Sequence, residues 1–166
     1  MGHGSVTLAS ADFDETFRVH YARLVRSLGV ATGDPEAAAD AVQEAFIRAY
    51  ARWRRVAAYD DPVGWVRRVA LNRLRDHFRR VERGRRPVAR VGGEGPTTVP
   101  APEVPDDTVL SLLGELPHRQ RVAAALFYVE DLSVRQIAEA MEISEGAVKY
   151  HLHVARRALR AAMEAS

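Results

Sequence analysis

Tyr150, His153 and Arg157 are spaced three and four residues apart, which stacks their side chains on one face of a helix. On the opposite side Val148, Leu152, Ala155 and Leu159 recur at i, i+4, i+7 and i+11, a single apolar stripe. Lys149, Arg156 and Arg160 fall on one flank. A helix pinned along one side, with bases and an aromatic on the other, has the chemistry to enter a DNA major groove. Upstream, residues 63–91 hold ten arginines against Asp76 and Glu82, a net of +8, which is an electrostatic footprint for phosphates. A third set, Asp40, Gln43 and Glu44, shares one helix face at i, i+3 and i+4.

The elements that must position these groups are all helices. Phe13, Phe17, Tyr21, Leu24, Val25 and Leu28 predict an amphipathic helix from Asp12 to about Val30, ended by Thr32-Gly33. Asp34-Pro35 starts a second, to about Arg55, with Ala38, Ala41, Val42, Ala45, Phe46, Ala49 and Trp53 inward. Asp61-Pro62 repeats the start signal for a third helix to about Val81, burying Val63, Val66, Ala70, Leu74 and Phe78. Residues 83–106 are rich in Gly and Pro without periodicity and read as a flexible linker, ~80 Å long if fully stretched. Helices over about 107–116 and 119–129 follow. Ser133 and Gln136 then form a capping box for a short helix, and Ser144 caps the helix that carries Tyr150, so the last two helices form a helix-turn-helix. The predicted fold is all-α. It has an N-terminal tail (1–11), a helical domain (12–82), the linker (83–106) and a second helical domain (107–166).

Composition narrows the function classes. The 166 residues carry a net charge of +2 and no cysteine, which excludes disulfides, thiolate metal sites and cysteine nucleophiles. Neither a secretory leader pattern nor an apolar run near the ~20 residues that span a bilayer occurs, so the expectation is a soluble, cytoplasmic protein with no membrane partner. P-loop, HExxH and dinucleotide-binding motifs are lacking, and Gly92-Gly93-Glu94-Gly95 sits in the linker with no lysine or helix after it. His151 and His153 point to different sides of their helix and are poor co-ligands. The sequence therefore predicts neither enzyme, nor metal, nor cofactor.

Three segments carry a family resemblance, in order. They are "DAVQEAFIRAYARW" (40–53), "WVRRVALNRLRDHFRR" (65–80) and the stretch from Leu116 to Leu159 that begins "LPHRQRVAAALFYVEDLSVRQIAEAM". Together they resemble the extracytoplasmic-function (ECF) sigma factors, the two-domain subclass of the RNA polymerase sigma-70 family. The resemblance implies that Asp40, Gln43 and Glu44 match the DxxQE patch that holds sigma to the β′ coiled coil of core RNA polymerase. It implies that Asn72, Asp76 and Arg79 match an NxxxDxxR pattern facing the −10 promoter element, with Arg75 and Arg80 on phosphates and Tyr59 a stacking surface for an extruded base. In the second domain, Ser144, Ala147, Lys149, Tyr150, His153, Arg156 and Arg157 would read −35 DNA. The partners implied are core polymerase (β′ coiled coil and β flap), promoter DNA and an anti-sigma protein.

The chain departs from the family at its recognition helix. The common pattern "GTVKSRLHRAR" stands here as "GAVKYHLHVAR", with Tyr150-His151 for Ser-Arg and Val154 for Arg. The segment "AVKYHL" is also similar to the LuxR-type helix, so a LuxR-type regulator acting without polymerase recruitment is the alternative. That class usually carries an α/β receiver or sensory domain, which the all-helical front half does not supply.

Overall fold

The computed structural model describes residues 3–84 and 107–165; the predicted linker, apart from positions 83 and 84, lies outside the described residues. Every described element is a helix. The first, α1 (His3–Thr32), begins nine residues before the predicted Asp12 and replaces most of the predicted tail over 1–11 with helix. Leu8, Ala9 and Ala11 are good helix formers and no proline interrupts them. The helix ends where Gly33 takes φ +74°, a conformation glycine adopts without a Cβ penalty, and donates its N–H to Gly29 O at 2.8 Å.

Asp34 caps α2 (Pro35–Ala51), its Oδ1 accepting the Ala37 N–H at 3.1 Å. The helix stops at Ala51, not Arg55: Arg52 leaves helical backbone and its N–H turns to Ala49 O, a tightened last turn. Trp53–Val56 then forms the single turn α3. Asp61 caps α4 (Pro62–Gly84) by accepting the Gly64 N–H at 2.9 Å. Any side chain at Gly64 would collide with this cap, because a Cβ there would stand 2.5 Å from Asp61 Oδ2. The cap and the glycine form one unit that aims α4.

The second half comprises α5 (Asp107–Gly114), α6 (His118–Tyr128), α7 (Val134–Met141) and α8 (Glu145–Glu164). The capping box of α7 is complete. Gln136 N–H donates to Ser133 Oγ at 3.1 Å and Ser133 N–H to Gln136 Oε1 at 3.0 Å. Ser144 Oγ accepts the Ala147 N–H at 3.1 Å and starts α8.

Leu28, Val42, Phe46, Val66 and Leu74 fill the core of the first half; Ile137, Val148 and Leu152 fill that of the second. These are not two separate cores. One apolar cluster runs through both, with α1 packed on α6 and α4 on α7. The sequence reads as two tethered modules, whereas the folded chain joins them face to face.

Candidate nucleic-acid interface

The acidic face of α2 is built as its spacing predicts. Asp40 and Gln43 are exposed, Glu44 is half-buried, and Glu44 pairs with Arg48 one turn on at 3.5 Å. That pair lies on the surface, where such contacts contribute under about 1 kcal/mol, so Glu44 remains available to a partner. The structure adds a residue to this face: Ile47, 57% exposed, stands one turn from Gln43 and Glu44. A large apolar side chain on an otherwise polar helix face was the signal in the sequence. It gives the patch an apolar contact beside its charges.

On α4, Asn72, Arg75, Asp76 and Arg79 fall on one face at i, i+3, i+4 and i+7, and Trp65 and Arg68 continue it toward the N-terminus. Asp76, Arg79 and Arg80 are exposed; Asn72 and Arg75 are half-buried. Tyr59 is exposed in the loop before α4, beside Trp65 and Arg68 in a cleft of about 730 Å³. The opposite wall of that cleft is α7, through Arg135, Gln136 and Glu139. Arg68 thus joins the candidate set through its place next to Tyr59. Arg67 leaves the phosphate footprint: it is 4% exposed and bound to Glu130 of the second half.

On α8, Tyr150 is 61% exposed, and Lys149, His153 and Arg157 are also exposed, while Val148, Leu152 and Ala155 are buried. The helix therefore presents the predicted face to solvent. Ser144 is exposed and Ala147 half-buried at its N-terminus, where the dipole favours a phosphate. Arg156 is held in place by α6. Its Nε donates to Tyr128 Oη at 3.0 Å and its guanidinium lies 5.2 Å over the Phe127 ring. His151 is buried, with Nδ1 3.2 Å from Gln120 Nε2, on the side away from His153.

Burial, and secondarily the Arg119 charge, holds the His151 pKa below the ordinary 6.5; burial, then Arg67 and Arg23, does the same for His20. The folded chain therefore binds these protons less readily than the unfolded one. The stability this confers is complete above 6.5 and is lost as the pH falls from there through the lower folded-state values. The melting temperature should fall on acidification through that value, and His151→Gln should reduce the slope. Thermal melts across the range check this; a melting temperature rising with acid contradicts it.

Among the described residues no cluster of three or more His, Asp or Glu side chains could hold a metal, and no helix is long and apolar enough to cross a membrane.

Two family models match the chain: sigma-70 region 2 over residues 16–84 and sigma-70 region 4 over 106–159. The chain is 31% identical to the RNA polymerase sigma-E factor of Streptomyces avermitilis across 99% of its own length and 89% of that protein. It is 33% identical to the ECF sigma factor SigW of Bacillus subtilis, over 77% of this chain and 76% of SigW. Its fold resembles the sigma factor RpoE of Bartonella quintana, solved in complex with the anti-sigma factor NepR. The TM-score is 0.78 at 20% identity, over 92% of this chain and 97% of that one. The helix-turn-helix, the arginine-bearing α4 and the acidic face of α2 occur in family order within these matched regions, and the chain belongs to the ECF sigma factors of the RNA polymerase sigma-70 family.

Proposed function

We propose that each of the three helix faces performs one of the tasks of an ECF sigma factor, which directs core RNA polymerase to specific promoters. Asp40, Gln43 and Glu44, with Ile47 beside them, hold the polymerase β′ coiled coil. Tyr59, Asn72, Arg75, Asp76, Arg79 and Arg80 engage the −10 element, with Tyr59 stacking on an extruded base. Ser144, Ala147, Lys149, Tyr150, His153, Arg156 and Arg157 read the −35 element. In this reading domain 2 spans 12–82, the linker 83–106 and domain 4 107–166, with the helical start of α1 added to the front. The chain does no catalysis of its own and works in the cytoplasm. An anti-sigma factor is a further partner, as NepR is of RpoE.

The supporting observation is the capped helix-turn-helix whose second helix turns Tyr150 to solvent over a buried apolar stripe. No observation favours the LuxR-type alternative. Run-off transcription with purified core polymerase on genomic fragments tests the proposal: promoter-dependent transcripts should appear only when the chain is added. In the same assay Gln43→Ala with Glu44→Ala should weaken core binding at unchanged helix content; unaltered affinity removes α2 from the interface. Arg79→Ala should lower promoter-complex affinity and reduce the salt slope by ~1 phosphate equivalent, and an unchanged slope argues against a phosphate contact.

A further inference from the structure

Lys149, Arg156 and Arg160 line one flank of α8 at i, i+7 and i+11, and all three are exposed. At 1.5 Å per residue the row is about 16 Å long, enough to follow the phosphates of one DNA strand. An exposed arginine ordinarily samples many rotamers, and a DNA contact must first stop that motion.

Arg156 is restrained before any DNA arrives. Its Nε donates to Tyr128 Oη at 3.0 Å, and its guanidinium carbon lies 5.2 Å from the centre of the Phe127 ring. The two aromatic rings are set edge to face, with centroids 5.0 Å apart at 83°. Phe127 is half-buried and packed against the core, so it is a firm seat for both neighbours. Tyr128 is the last residue of α6, outside the helix-turn-helix.

This contact does little for the fold. Tyr128 is 45% exposed, and a hydrogen bond made at the surface competes with water. Its consequence is directional. A guanidinium carries five N–H donors in one rigid plane. With Nε given to Tyr128 and the plane laid on Phe127, the four donors of the Nη pair form the free end of a fixed fork. Such a fork matches two oxygens of a phosphate.

We infer that Tyr128 is a positioning residue for −35 recognition, holding Arg156 by Nε so that its two Nη groups are presented to a DNA phosphate. The inference rests on the proposed −35 role of α8. Because folding has already ordered the arginine, the complex gains affinity without an added charge. Charge and posture separate in the salt dependence. Each phosphate neutralised adds about one unit to the slope of log affinity against log salt, whatever the shape of the cation.

The test uses holoenzyme assembled from core polymerase and the full chain, on a promoter fragment returned by run-off transcription. Arg156→Ala should weaken promoter binding about tenfold and reduce the salt slope by ~1. Tyr128→Phe should weaken binding about three- to fivefold, with slope, helix content and melting temperature unchanged. Arg156→Lys keeps the charge without the fork, and should match Tyr128→Phe in both affinity and slope. Adding Tyr128→Phe to either Arg156 variant should bring no further loss, as expected of two residues acting as a unit. Wild-type affinity in Tyr128→Phe overturns the inference. So does an undiminished effect of Tyr128→Phe in the Arg156→Ala background, which would give Tyr128 a contact of its own. If Arg156→Ala binds like wild type, the −35 role of this flank fails and the inference fails with it, so the two failures are read from different variants.

Discussion

Phe46→Ala should lower stability by about 3–5 kcal/mol, the largest loss expected of any single substitution in the first half. Phe46 is fully buried at the centre of an aromatic group, its ring 5.0 Å from Phe17, 6.1 Å from Phe13 and 6.2 Å from Tyr21. Truncation removes the transfer free energy of the ring and leaves a cavity walled by three other rings, whose sizes limit collapse. At ~2–4 °C per kcal/mol for a chain of this size, the melting temperature should drop by roughly 10 °C. A shift of only a degree or two would mean that α1 and α2 do not pack through this ring. Phe46 sits between Glu44 and Ile47, so the loss should also disturb the α2 face proposed to bind polymerase.

Leu152→Ala should cost about 2–4 kcal/mol, through the core beneath α8. Leu152 is buried on the apolar stripe of α8, in the cluster that includes Val148 and Ile137. The same cluster contains Leu28 and Phe46. The two variants should therefore each shift one shared unfolding transition, not melt their halves separately. Calorimetry of both variants checks this. Two resolved transitions, with Leu152→Ala moving just one, would show that the halves fold independently.

Local chemistry was legible in the sequence. Asp34-Pro35, Asp61-Pro62, the Ser133–Gln136 box and Ser144 all start helices, because a cap is settled by residues three or four apart. The stripe under α8 and the outward Tyr150 follow from the 3.6-residue period alone. The seam between the halves was not legible. Arg67 stands among nine other arginines of residues 63–91 and reads as one more phosphate contact. Only the arrival of Glu130, 63 positions away, makes it a buried partner. Glu142 gives no pattern either, since its left-handed backbone and its pairing with Arg75 arise only in the fold. Ile47 was visible as an apolar residue on a polar face, but periodicity marks it as an exception without saying what it serves.

The Arg121 side chain that finishes α1 comes from the far half of the polypeptide. Anyone expressing the front half by itself would leave the Ala31 carbonyl to water, strip the cover from Ser27 and Arg67, and bare the greasy flank of α1 that normally meets α6. Such a truncated piece should be prone to clump, and weak activity from it would report a raw surface more than a missing promoter contact.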